Sequence, residues 1–194
     1  METNTPPSVT FVLGGARSGK SRFAESLAER YATGSEDDRG GAQRLVYLAT
    51  GEAFDDEMRT RIDAHQTRRG EHWRTIEAPL GIADALETHC RPGCVVLLDC
   101  VSVWLGNQFH HEANIEQEVR TLVARCRKLD GTLVAVGSEV GLGIVPENAL
   151  ARAFRDAAGL LNQQLADAAQ RVYLISAGIP ICIKGGPEPS LSGR

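Results

Sequence analysis

The apolar run Val9 to Leu13 passes directly into the octapeptide GGARSGKS, Gly14 to Ser21, and a helical pattern follows it, with Phe23, Leu27 and Tyr31 at i, i+4 and i+8. Few features restrict a fold as tightly. A buried strand has to turn within a few residues into a helix, and the spacing G-x-x-x-x-G-K-S fits a loop whose backbone N–H groups surround a phosphate. Gly19 lets the backbone approach the anion closely, and the helix beginning near Lys20 turns its positive end toward negative charge. In that geometry Lys20 holds the outer phosphates and Ser21 offers its hydroxyl to Mg²⁺.

The rest of the chain repeats the alternation. Runs rich in Val, Ile and Leu recur at Thr10–Leu13, Leu45–Ala49, Val95–Leu98, Leu133–Val136 and Val172–Ile175, short and apolar enough to be parallel strands buried on both faces. Helical spacings lie between them, at Met58, Ile62 and His65, at Ile115, Val119, Leu122 and Cys126, and at Leu150, Phe154, Leu161 and Leu165. The pattern predicts an α/β fold, a mostly parallel, doubly wound sheet with helices on both faces, whose ligands sit beyond the carboxyl ends of the strands. With 194 residues the chain suits one core, expected over residues 9–184, and the aperiodic ends 1–8 and 185–194, rich in Pro, Gly and Ser, read as disordered. Thr33–Gln43 reads as an exposed connection.

Charge excludes some functions. The net charge of −4 comes without a long basic run, so the electrostatic footprint of a nucleic-acid binder is missing. No apolar stretch has the roughly 18 residues a membrane helix needs, and the first residues lack the pattern of a secretory signal; a cytoplasmic protein without a membrane span is expected. The five cysteines, Cys90, Cys94, Cys100, Cys126 and Cys182, have neither zinc-ligand spacing nor an even count, and read as reduced, mostly buried thiols.

Three further stretches bear on chemistry. Asp99 ends the apolar run VVLLD, where a carboxylate meets Mg²⁺ beside a phosphate loop or, alternatively, caps the next turn. On a helix from about Asp56, His65 shares a side with Ile62 and Met58, while Arg61, Arg68 and Arg69 lie three or four residues away. It could be a satisfied core histidine. It could also be a nucleophile, because neighbouring cations lower an imidazole's pKa and keep it neutral. Finally GSEVGLGIVPEN, Gly137 to Asn148, is a pliable loop at the ligand edge, leading to a helix near Pro146. Its Glu139 could contact a substrate or metal, or serve as a turn acid. His72, His89, His110 and His111 read as surface or structural.

Together GGARSGKSRFAE, YLATGEAFDDEMRTRIDAHQTRRGEHWRTIEAPL, LLDCVSVWLGNQ and EVGLGIVPENALARAFRDAAGLLNQQLA closely resemble the bifunctional adenosylcobinamide kinase/adenosylcobinamide-phosphate guanylyltransferase family of cobalamin biosynthesis, from Thr10 to Lys184. The resemblance implies a P-loop NTPase-like fold and two reactions. A phosphoryl group passes from ATP or GTP to adenosylcobinamide, and GMP passes from GTP to adenosylcobinamide phosphate through a histidine–GMP intermediate. It places that histidine at His65. Nucleotide contacts fall on Gly14, Gly15, Ala16, Arg17, Ser18, Gly19, Lys20 and Ser21, on Thr50, Gly51 and Glu52, on Gln66, Thr67, Arg68 and Arg69, and on Glu77 and Asp99. It also implies Mg²⁺ at Ser21 and Asp99 and a homotrimer. Ser138 stands where many members have Asn. Two other readings fit the phosphate loop: a P-loop small-molecule kinase that forms no covalent intermediate, and a GTP-operated binding switch.

Overall fold

The computed structural model describes residues 8–33, 44–52 and 72–186. Its centre is a seven-stranded sheet in the order β3-β2-β4-β5-β1-β6-β7. The strands are β1 (Val9–Gly14), β2 (Leu45–Ala49), β3 (Trp73–Glu77), β4 (Val95–Asp99), β5 (Thr132–Ser138), β6 (Arg171–Ser176) and β7 (Ile179–Lys184). The first six run parallel and β7 turns back against β6. Five helices are described: α1 (Lys20–Thr33), α2 (Ile82–His89), α3 (Val101–His110), α4 (Ile115–Cys126) and α5 (Ala149–Ala168).

Each apolar run expected to be a strand is one, and each is buried because helices cover both faces of the sheet. Alternate residues sort to opposite sides. Val12, Tyr47, Leu97, Val134, Val136 and Tyr173 pack with Ala24, Leu27 and Ala28 of α1. On the other face Phe11, Leu48, Leu98, Leu133 and Ala135 pack with Leu86 of α2, Trp104 of α3, Leu122 of α4 and Leu161 of α5. The doubly wound architecture follows from these two layers.

Some details differ from the sequence reading. The last helix starts at Ala149, not near Pro146, because the Asn148 side chain accepts a hydrogen bond from Ala151 N–H and caps it there. Leu150, expected on its apolar face, is 63% exposed. Strands β3 and β7 lack continuous apolar runs because they lie at the sheet's two edges, where one-sided burial and a proline, Pro180, are tolerated. Helix α2 has only 8 residues. Helix α3 buries Ser102, Asn107 and Gln108 as well as Val101, Trp104 and Leu105, so it presents no amphipathic stripe to read. The helical spacing at Met58, Ile62 and His65 lies outside the described residues, as do most of the Thr33–Gln43 connection and most of both ends.

Strand order decides what the site looks like. Strand β5 lies between β1 and β4, so the strand feeding the phosphate loop and the strand ending in Asp99 are two inter-strand spacings, roughly 10 Å, apart. The end of β5 fills that gap, with Ser138 level with Gly14.

The sheet tolerates little extra volume here. A Cβ at Gly137 would come within 2.7 Å of the Phe11 ring and 3.2 Å of Asn162 Oδ1, and Phe11 is fully buried with nowhere to move. Gly137→Ala is expected to destabilise the fold by about 1–3 kcal/mol, read as a lowered urea midpoint at unchanged slope.

Candidate active site

The phosphate loop has the shape its sequence predicts. Strand β1 ends at Gly14 and α1 begins at Lys20. Between them Arg17 and Gly19 adopt φ of 54° and 95°, left-handed conformations that aim successive N–H groups into one concavity. A non-glycine residue in that region is uncommon. Ser18 N–H donates to Gly15 O (3.3 Å) and Phe23 N–H to Gly19 O (3.1 Å), closing the turn and starting the helix. The first turn of α1 carries no acidic side chain, so nothing there opposes an anion. Lys20 Nζ lies over the loop and donates to Gly15 O at 3.1 Å.

Two neighbours hold the loop in place. Glu139 N–H, just past β5, donates to Gly14 O at 3.1 Å, and Gly178 N–H, in the β6–β7 turn, donates to Ser18 O at 2.8 Å. Packing is close enough that a Cβ on Gly14 would sit 2.6 Å from Ser18 Oγ. That hydroxyl is buried and has no hydrogen-bond partner among the described residues. A buried hydroxyl is normally satisfied, and an oxygen of a phosphate seated in the loop is a suitable partner.

Asp99 reaches the same edge from β4. Its Oδ2 accepts a hydrogen bond from Tyr47 Oη at 3.2 Å, since Tyr47 is level with Leu97 on the neighbouring strand and its side chain shares the α1 face. Cys100, the next residue, reports on the local field. Burial pushes its thiol up to about 11, the Asp99 charge adds to the rise and the Lys20 charge opposes it. Asp99 and the phosphate loop thus lie on the same edge of the sheet, with β5 between their strands.

The remaining predicted residues lie along the same edge. Thr50, Gly51 and Glu52 follow β2, and Glu77 is the exposed last residue of β3, level with Ala49. These loops are tied down from below by α3, whose stretch carries part of the family resemblance but does not read in sequence as a helix with that role. Asn107 Nδ2 donates to Thr50 O (2.8 Å) and Pro79 O (2.9 Å). Trp104 Nε1 and Gln108 Nε2 donate to Leu80 O at 2.7 and 3.1 Å. Thr50 Oγ1 accepts from Cys100 N–H (3.0 Å) and donates to Cys100 O (2.9 Å), and Ser102 Oγ accepts from Ser138 N–H at 2.7 Å. Polar residues within an otherwise apolar stretch, Val101 to Gln108, were the available signal. His65, Gln66, Thr67, Arg68 and Arg69 lie outside the described residues. His111 contacts Glu52 at 3.4 Å, and His89, held below its usual pKa by burial and by Arg74 and Arg91, belongs to α2.

Comparison with known proteins extends the reading to the whole chain. A family model described as cobinamide kinase / cobinamide phosphate guanyltransferase matches residues 10–183. The chain belongs to this family. It is 40% identical over 188 residues to the bifunctional adenosylcobalamin biosynthesis protein CobU of Escherichia coli, covering 89% of this chain and 98% of that one. It is 39% identical to the corresponding protein CobP of Pseudomonas aeruginosa, covering 91% and 97%. Among solved structures it is similar to the flagellar accessory protein FlaH of Methanocaldococcus jannaschii, with 13% identity and a TM-score of 0.49, over 92% of this chain and 80% of that one.

Two outcomes are expected. Removing the Tyr47 hydroxyl with Tyr47→Phe takes a hydrogen bond from Asp99 Oδ2, and should weaken nucleotide binding severalfold in an equilibrium titration while changing the unfolding free energy by no more than about 1 kcal/mol. The thiols should split into classes. Burial pushes Cys90 and Cys126 up to about 12 and Cys100 to about 11, which suppresses the reactive thiolate at pH 8. An aromatic disulfide reagent should titrate Cys94 and Cys182 in the native protein, and the other three only after unfolding.

Proposed function

We propose that the chain carries out both reactions its family is named for, and that in the second of them His65 carries GMP from GTP to the acceptor phosphate. The observation that supports this most directly is a family match whose bounds, residues 10–183, take in the phosphate loop, the His65 segment and β7. The site's geometry agrees. An anion-binding loop with Lys20 and the carboxylate of Asp99 share one edge, as a phosphoryl-transfer site requires.

In the kinase step, ATP or GTP seats its phosphates in Gly14–Ser21. The hydroxyl oxygen of adenosylcobinamide bonds to the γ-phosphorus as the bond to the β-phosphate oxygen breaks, and the nucleoside diphosphate leaves. Positioning and charge stabilisation carry most of this step. In the guanylyl step a neutral ring nitrogen of His65 bonds to the α-phosphorus of GTP and pyrophosphate departs. An oxygen of adenosylcobinamide phosphate then takes the phosphorus from the histidine, giving adenosylcobinamide-GDP. Splitting one transfer in two is the usual gain of a covalent intermediate. Thr50, Gly51, Glu52, Gln66, Thr67, Arg68, Arg69 and Glu77 supply the remaining nucleotide contacts in this reading.

The Ser21 hydroxyl and Asp99 carboxylate are hard oxygen donors suited to Mg²⁺. Among the described residues no group of three His, Cys, Asp or Glu could hold a metal alone; kinase Mg²⁺ is commonly shared between one or two protein oxygens and the phosphates. When bound it neutralises charge on the transferring phosphates. No helix among the described residues is long and apolar enough to cross a membrane, and we place the enzyme in the cytoplasm, as one domain over residues 9–184. A homotrimer completes the proposal, supported by the exposed stripe Ile179, Ile181 and Ile183 on edge strand β7.

The decisive experiment is incubation with Mg²⁺ and GTP radiolabelled at the α-phosphate. Acid-labile, alkali-stable label is expected on the wild type and not on His65→Ala, which should still phosphorylate adenosylcobinamide. A folded wild type that binds GTP but takes no label would leave a kinase without a covalent intermediate. Labelling should also fade as pH falls through about 6.5, or somewhat lower where arginines depress the imidazole, because the protonated ring has no free lone pair.

A further inference from the structure

The loop joining β5 to α5, residues 139–148, carries the largest exposed apolar group among the described residues. Leu142 is 89% exposed, Ile144 98%, Val145 60% and Val140 39%. Such a patch on a soluble chain marks a contact surface. This loop is also tied down. At its start Glu139 N–H is bonded to Gly14 O, and Glu139 Oε1 accepts from Gly141 N–H at 2.6 Å. At its end Arg152 Nη1 donates to Pro146 O at 2.9 Å and Glu147 O at 2.5 Å, and Asn148 caps α5. Ordering four apolar side chains toward water costs free energy that a ligand can recover by covering them.

What covers them follows from where the loop is rooted. In-line transfer requires the acceptor to approach the terminal phosphate from the side away from the leaving group. The phosphate loop and α1 lie at the β1 position of this edge, and β5 and then β4 come next in the sheet. The loop leaving β5 follows directly from the strand beside β1 and is joined by a hydrogen bond to the first residue of the phosphate loop. A nucleoside has no use for four aliphatic side chains. Cobinamide does: its corrin ring is a broad, largely apolar plate fringed with methyl and amide groups, and only one arm ends in the reacting hydroxyl. A plate held against an apolar wall, with that arm extended over the sheet edge, meets both needs.

We infer that residues 140–145 form the corrinoid-docking wall of the site, with Leu142 and Ile144 as its principal contacts. The inference rests on the proposed two-step function and adds the place where its large substrate is held. It predicts that the wall sets affinity for cobinamide in both reactions without touching nucleotide chemistry.

The test is the double variant Leu142→Ser/Ile144→Ser beside wild type and a control, Leu160→Ser on α5, an exposed apolar residue outside the loop. Binding of adenosylcobinamide is followed by equilibrium dialysis using its visible absorbance, GTP loading by radiolabel at the α-phosphate, and mass in solution by sedimentation. The loop variant is expected to bind adenosylcobinamide at least tenfold more weakly and to show a matching rise in KM for it. Its guanylylation by GTP, urea midpoint and mass should stay unchanged. The control should bind adenosylcobinamide as wild type does. Unchanged cobinamide affinity in the loop variant overturns the inference, and if its mass falls at the same time the wall is a contact between copies of the chain. A wild type that takes GMP label but binds no adenosylcobinamide would overturn the inference through its substrate while leaving the histidine chemistry in place. A wild type that binds adenosylcobinamide through the wall but takes no label would do the reverse, supporting the wall and sinking the covalent step.

Discussion

A charge cannot be left without compensation in a sheet covered on both faces, and that constraint arranges nearly everything else in this molecule. Six parallel strands run through the apolar interior and release polar groups only where they emerge. Because they run the same way, they all emerge together. Gly14, Ala49, Glu77, Asp99 and Ser138 end their strands along one edge, so the phosphate loop, Asp99 and the loops after β2, β3 and β5 are gathered there. Asp99 shows the limit of the rule: it follows four buried residues and is accepted because Tyr47 offers a hydroxyl from inside the layer.

Such an edge is only a row of loose loops unless something fixes their relative positions. Helix α3 supplies that. Its buried Asn107 and Gln108, with Trp104 and Ser102, reach the loops after β2 and β3 and the last residue of β5, while Thr50 bonds both backbone groups of Cys100 after β4. Every buried polar atom in this set has a partner, the condition under which a polar network fixes one arrangement of the backbone.

Much of this was legible in the sequence because the physics that governs it is local. A continuous apolar run of four or five residues signals a strand buried on both sides, and such runs located β1, β2, β4, β5 and β6. The phosphate loop was legible through its spacing, and Asp99 through its place at the end of such a run. The elements that were missed depend on tertiary context. Strands β3 and β7 are edges, so half their residues face water and no run forms. Asn107 and Tyr47 look like ordinary residues of an apolar stretch until the fold brings Thr50 and Asp99 opposite them. The left-handed Arg17 likewise follows from the closed loop rather than from its own preference.

The position of β1 has a consequence for how the chain comes into being. It precedes the other six strands of the sheet in sequence, yet its two neighbours are β5 and β6, and the turn after β6 supplies the Gly178 N–H that holds Ser18. The nucleotide-binding loop thus follows the first strand of the sheet in sequence and is completed by the last hairpin. During synthesis β2, β3 and β4 can assemble early, whereas β1 waits for partners more than a hundred residues away, the kind of distant pairing that slows folding. A nascent chain therefore holds a phosphate loop that has its sequence but not its shape, and it gains a nucleotide site only when the last hairpin has been delivered.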